Sequence, residues 1–265
     1  MFQALIDNRT ELRQLTRPLA APRKTMVDTL CLSGLPCIDQ YIRGFGAELV
    51  IVSARPKTGK SNFLINICAR QPASVRVLYI TLADYGFDEI TYLLHVVDPK
   101  LQKRMGDGFR IADLNAMSTT IHDVEKCILE AKPTLTIIDR AELMEPVKVY
   151  DKTQKEQGLI FKEIRKLAKR HNTTIITDGQ YSSAGDEQSR NAMRSKDGTG
   201  VPWMSSQYMS EDRTQRQAQM DLWMGLSRVP QADGTSDMFI FLEGRRQGLL
   251  PAVARTSTNQ LGVYV

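Results

Sequence analysis

The sequence predicts an α/β fold with a mostly parallel central sheet, helices on both faces and antiparallel strands at the C-terminal edge. Three observations carry this. Short β-branched, apolar runs recur along the chain, of the kind that fill strands buried on both faces. Helical stretches alternate with them, which is the signature of a parallel sheet. The last apolar runs then read as closing strands at one edge.

Taken in order, residues 1–16 carry Phe2, Leu5, Ile6, Leu12 and Leu15 at roughly helical spacing, and a Pro-containing basic segment follows from Arg17 to Lys24. Residues 1–31 therefore read as a helix and linker, and residues 32–265 as the main domain. The helix either packs on its own domain or docks on a neighbouring subunit. Strands are expected at Leu49–Ser53, Val77–Leu82, Thr134–Ile138 and Thr174–Thr177, with a weaker one at Phe109–Ala112. Helices are expected at Asn62–Ala69, Asp123–Ala131 and Gln154–Arg170, the last placing Ile160, Ile164, Leu167 and Ala168 on one face. Ser182–Gln219 is polar, and longer than a compact domain keeps without a use for it, so it is expected to be a mobile working loop. Met238–Leu242, Val253 and Gly262–Val265 complete the antiparallel edge.

With 42% hydrophobic and 25% charged residues, the 265-residue chain is close to the globular average and long enough to bury a sizeable core. Its net charge of +5 favours anionic partners such as nucleotide or nucleic acid. No apolar run approaches the ~20 residues that span a bilayer. The N-terminus carries Asp7, Arg9 and Glu11 where a signal peptide is apolar, so a cytoplasmic protein with no membrane partner is expected. Cys31, Cys37, Cys68 and Cys127 form no CxxC pair and read as free thiols. His95, His122 and His171 fall at unrelated positions, so a metal here means Mg²⁺.

Ala54, Arg55, Pro56, Lys57, Thr58, Gly59, Lys60 and Ser61 follow an expected strand and lead through Asn62 into an expected helix, which is the context of a Walker A phosphate loop. Its first glycine is replaced by Ala54, and a small residue still allows the turn. The chemistry needs backbone N–H groups at a helix N-terminus around the phosphates, a lysine on the β/γ oxygens and a hydroxyl on Mg²⁺. Gly59, Lys60 and Ser61 supply these in order. Asp139 ends an apolar strand, at the edge where open α/β sheets bind ligands, and is the candidate Walker B carboxylate that holds Mg²⁺ through water. Gln180, just past the next strand, offers a neutral amide for the γ-phosphate or its attacking water.

These residues resemble the RecA-like core of DnaB-type hexameric replicative helicases, particularly phage and plasmid versions. The resemblance runs from about Leu32 to the C-terminus. Ser33-Gly34-Leu35-Pro36-Cys37-Ile38-Asp39 is similar to the family's lead-in to the P-loop, and Ala54-Arg55-Pro56 to its Ala-Arg-Pro start of Walker A. Ile138 to Met144 resembles the family's block after Walker B, Asp178-Gly179-Gln180 its Ser-Gln sensor, and Gly244-Arg245-Arg246-Gln247-Gly248 its Lys-x-Arg-x-Gly. The resemblance implies an ATP- and Mg²⁺-dependent motor in a homohexameric ring on single-stranded DNA, with Arg246, or Arg245 in its stead, as the finger on a neighbour's nucleotide. A separate primase, polymerase or loader is an expected partner.

One departure bears on catalysis. Ala83 stands where the family has the glutamate that polarises the attacking water, and the neighbouring Asp84 is one residue out of register. Binding without fast hydrolysis is expected, since a positioned base is worth ~10²- to 10⁴-fold. Three explanations fit: Asp84, Glu142 or Glu145 substitutes; the chain is a natural slow ATPase; or a glutamate was replaced to trap an ATP state. The family's two DNA-gripping loops correspond to Glu142–Gln157, with Lys148, Lys152 and Lys155, and to Ser182–Gln219, with Arg190, Arg194 and Lys196 and the stacking candidates Trp203 and Tyr208. Such loops bind single strands through backbone charge and π-faces, without a base-reading code. Two other classes share the site: a RecA/RadA-like recombinase or mediator filament, and a nucleotide-gated, non-hydrolysing DNA clamp.

Overall fold

Leu49–Ala54 forms β1, and all six of its residues are buried, as an apolar run must be inside a sheet covered on both faces. In the computed structural model, which describes residues 30–82, 85–115, 118–146, 153–180, 219–244 and 252–265 with Glu187 and Ser206, seven further strands join it. They are β2 (Val77–Thr81), β3 (Phe109–Asp113), β4 (Leu135–Asp139), β5 (Thr174–Gln180), β6 (Leu222–Pro230), β7 (Ser236–Gly244) and β8 (Ala252–Thr258). The sheet order is β3-β2-β4-β5-β1-β6-β7-β8. From β3 to β6 every neighbour is parallel, and β7 and β8 add on antiparallel. The predicted fold class therefore holds, antiparallel edge included.

The helices are α1 (Pro36–Ile42), α2 (Lys60–Ala69), α3 (Phe87–Val97), α4 (Leu101–Met105), α5 (Ile121–Ala131) and α6 (Thr153–Arg170). On one face Ile38, Phe63, Leu64, Ile90 and Leu94 of α1 to α3 pack with Val50, Val52, Tyr79, Ile137 and Ile176 of the sheet. On the other, Val124, Ile128, Phe161 and Ile164 of α5 and α6 cover Leu49, Ile51, Ile80, Ile138, Ile175 and Trp223. Successive side chains of a strand point to opposite faces, so the odd residues of β4 and the even residues of β5 look toward α2. That parity decides which carboxylates meet the P-loop.

The strands expected in the first two thirds of the chain are found to within a few residues. So are the three expected helices. α5 starts two residues early because Thr120 and Asp123 form a capping box, with the Thr120 N–H and hydroxyl both donating to Asp123 at 3.0 and 2.8 Å. Pro36–Ile42, Phe87–Val97 and Leu101–Met105 were not expected as helices, nor Leu222–Pro230 as a strand. Gly262–Val265 does not form the expected strand: Gly262 turns at φ 75°, and only Tyr264 bridges back to Thr258. The four cysteines are free thiols. Residues 1–29 and most of Ser182–Gln219 lie outside the described residues. Within the latter, Ser206 donates through its N–H and hydroxyl to Glu243 on β7, at 2.9 and 2.8 Å. Among the described residues no helix is long and apolar enough to cross a membrane.

Candidate nucleotide-binding site

β1 ends at Ala54 and α2 begins at Lys60, so the five residues between must reverse the chain within a short reach. Lys57 at φ 63° and Gly59 at φ 98° make the reversal, closed by the Thr58 N–H on the Arg55 carbonyl at 3.3 Å. The Gly59 backbone lies in the left-handed region that glycine adopts at little cost. As N-cap it has no side chain to occupy the first-turn N–H groups of α2, which stay available to an anion together with the positive end of the helix dipole.

The helix is held in place by the chain's far end. Asn66 donates to the carbonyls of Asn62 at 2.8 Å and Gly262 at 3.1 Å, and accepts from the Tyr264 N–H at 3.0 Å. Arg70 donates to the Tyr264 carbonyl, and the Tyr264 ring meets Phe63 edge to face at 5.4 Å. The lead-in is similarly tied: Asp39 accepts from the N–H groups of Ser33 and Gly34 at 2.8 and 3.1 Å. Gly34 then lies so close to α2 that an added Cβ would sit 2.5 Å from the Arg70 Cβ.

Behind the loop stand two buried carboxylates. Asp139, at the C-terminal end of β4, is 1% exposed and accepts from the Tyr79 hydroxyl at 2.7 Å. Burial pushes its pKa up, opposed by the hydroxyls of Tyr79 and Ser61 and by the Lys60 charge. Asp178 on β5 is 2% exposed and faces the Lys60 ammonium at 3.7 Å. Burial, and then the Asp139 charge beside it, raise Asp178 to about 7, against the pull of Lys60. One oxygen of each carboxylate, Oδ1, is buried without a hydrogen-bond partner.

A cleft of about 540 Å³ opens over these groups. Arg55 to Asn62, apart from Thr58, line it, joined by Tyr85, Arg140, Asp178, Gln180 and Arg228. Ala54 is fully buried at the foot of the loop, in register between Gln180 on β5 and Leu226 on β6. Thus Lys60, Ser61, Asp139 and Gln180 come together from three parts of the chain. A hydroxyl, two carboxylates and buried oxygens awaiting partners are hard-oxygen ligands that suit Mg²⁺. Among the described residues no group of three or more His, Cys, Asp and Glu is arranged for a metal, so phosphate oxygens would have to complete its shell.

Of the candidate substitutes for the missing base, Glu142 is in the short 3₁₀ turn Ala141–Leu143, its Oε1 3.6 Å from where a Cβ on Gly179 would be. Glu145 is drawn toward the start of α5, bridging Thr120 and donating its N–H to the Thr119 carbonyl at 2.8 Å. Ala83, Asp84, Lys148, Lys152, Arg190, Arg194, Lys196, Trp203, Tyr208, Arg245 and Arg246 lie outside the described residues, and Lys155 falls in the first turn of α6. Sequence reasoning missed Tyr79, Tyr85, Arg140 and Arg228, and treated Asp178 only as part of the sensor block. An acid inside the otherwise uncharged β5 run was the one available signal.

No family model and no curated protein matches the sequence. Among solved structures, the chain is similar to a DnaB-like replicative helicase described with its interactions with primase, at 15% identity and a TM-score of 0.67. The match covers 88% of this chain and 62% of that one, so the chain spans less than two thirds of that helicase. It is also similar to a second solved structure, the isolated ATPase domain of a helicase, at 15% identity and a TM-score of 0.69, covering 99% of this chain and 97% of that one. Likeness at this identity is a likeness of fold: the chain has the RecA-like fold of helicase ATPase domains.

Proposed function

We propose that the chain is the ATP-dependent motor of a hexameric helicase or translocase that acts on single-stranded DNA. The observation that carries the reading is the convergence of Lys60, Ser61, Asp139 and Gln180 at the C-terminal edge of a parallel sheet, around the open N-terminus of α2. The fold shared with the helicase ATPase domains supports it. The α2 N–H groups and Lys60 would bind the β and γ phosphates, while Gln180 would orient the attacking water. Ser61 and Asp139 would hold Mg²⁺, which supplies charge neutralisation at the transferring phosphoryl group.

Arg246 of each subunit would reach the nucleotide of the next, so that ATP bridges subunits and its loss loosens them. That loosening would move the loops carrying Lys148, Lys152, Lys155, Arg190, Arg194 and Lys196 along the strand. Residues 1–31 would dock on a neighbour, with 32–265 as the ATPase domain, in the cytoplasm of a bacterial or phage-infected cell. A primase, polymerase or loader would be a separate chain.

Ala83 favours a second reading, a nucleotide-gated clamp that does not turn over. ATP hydrolysis by this chain and by Ala83→Glu, each with and without single-stranded DNA, separates the two. A DNA-stimulated gain of ~10²-fold or more in Ala83→Glu is the motor's result. Equal, low rates in both proteins are the clamp's.

A further inference from the structure

Asp178 has no part in the reading above, and it is the one ionisable side chain of β5. The β4–β5 register pairs Ile138 with Thr177, so the next residues along, Asp139 and Asp178, stand side by side and point to the α2 face. Both are almost fully buried, and each has one oxygen, Oδ1, enclosed without a hydrogen-bond partner. Asp178 also lines the nucleotide cleft. The cation facing it is Lys60, at 3.7 Å and 12% exposed.

If the nucleotide reading holds, Lys60 is drawn to the phosphates when nucleotide binds, and two adjacent buried carboxylates lose the cation between them. Like charges so close in a poorly screened site repel strongly. Arg140 also lines the cleft, but Glu142 adds a further negative charge on the same side. A divalent cation arriving with the nucleotide restores the balance and takes up the unpartnered oxygens, directly or through bound water. We propose that Asp178 is a second carboxylate for the nucleotide's divalent cation, acting beside Asp139 and Ser61. This rests on the nucleotide-binding reading of the cleft.

The test uses the full chain, a fluorescent N-methylanthraniloyl ATP analogue that is not hydrolysed, and Mn²⁺ as the metal probe. The quantity read is the gain in analogue affinity when Mn²⁺ replaces EDTA, in the wild type, Asp178→Asn and Asp178→Ser, with the free Mn²⁺ electron-spin signal titrated in parallel. The proposal expects the gain, and the Mn²⁺ affinity of the ternary complex, to fall tenfold or more in both variants. A gain within twofold of the wild type overturns it while leaving the nucleotide reading intact. A wild type that binds no analogue under either condition overturns both. Should neither variant fold, carbon-13 relaxation of the Asp178 carboxyl in the wild-type ternary complex decides: strong broadening by Mn²⁺ is expected, and a sharp resonance refutes the proposal.

Discussion

Replacing Tyr79 by Phe isolates one contact of the site. Tyr79 is fully buried on β2, and its ring packs with the core beneath α2, so phenylalanine keeps the shape and removes only the hydroxyl. That hydroxyl donates at 2.7 Å to Asp139 Oδ2, a carboxylate whose other oxygen has no hydrogen-bond partner. Burial and the nearby Asp139 charge push the Tyr79 phenol well above its ordinary range, so it remains a donor at any working pH. A hydrogen bond to a charged acceptor is worth ~1.5–3 kcal/mol, and a buried orphan costs a similar amount. The expected loss is about 2 kcal/mol at pH 8, roughly a 30-fold change in the folding equilibrium. The Tyr79 hydroxyl lowers the pKa of Asp139, so its removal makes Asp139 easier to protonate. The loss therefore shrinks as the pH falls and Asp139 takes up its proton. Urea unfolding at pH 8 and pH 5, on the wild type and Tyr79→Phe, measures both. A change under about 0.5 kcal/mol at pH 8, or the same change at both pH values, would refute the reasoning.

Two further predictions concern stability. Gly34→Ala puts a Cβ 2.5 Å from the Arg70 Cβ at a backbone φ of +72°, so strain and overlap add. A loss of about 2–4 kcal/mol in urea unfolding is expected, and a loss under about 1 kcal/mol would contradict the close approach. Glu48 is buried, and burial, first among its causes, raises its pKa to about 7, with the Asp221 charge adding to it. The folded chain holds that proton where the unfolded chain has lost it, so stability falls as pH rises from about 4.5 to about 7 and levels off above. Glu48→Gln should remove this slope and stabilise the protein at pH 8 by up to about 3 kcal/mol. Parallel melting-temperature profiles for the two proteins would refute it.

What the sequence revealed was local along the chain. The Ala54–Ser61 loop reads directly because the turn, the lysine and the hydroxyl are contiguous. The central strands read because burial on both faces forces unbroken apolar runs. What stayed hidden depended on neighbours distant in sequence. Tyr79 meets Asp139, and Asp178 adjoins it, only because β4 lies between β2 and β5. Arg228 reaches the cleft because β6 returns to pair with β1 after the long polar segment. β6 itself was obscured by Gly225 within it and Pro230 at its end, both poor strand formers. α3 buries only Ile90 and Leu94 while Phe87 and Tyr92 stay exposed, which blurs the helical period. The terminal residues read as a strand, yet their hydrogen bonds go to Asn66 and Arg70 of α2.

The most direct test of the account is calorimetric titration of Mg²⁺ and non-hydrolysable ATP into the wild type and Lys60→Ala, with thermal melts to verify folding. Lys60 stands at the mouth of α2 with its ammonium 3.7 Å from Asp178, poised for transfer to phosphate. The account predicts saturable one-to-one binding by the wild type, weakened at least ~30-fold in Lys60→Ala, equivalent to about 2 kcal/mol of charge-assisted contact. Equal affinities in the two folded proteins, or no binding by the wild type, would contradict it.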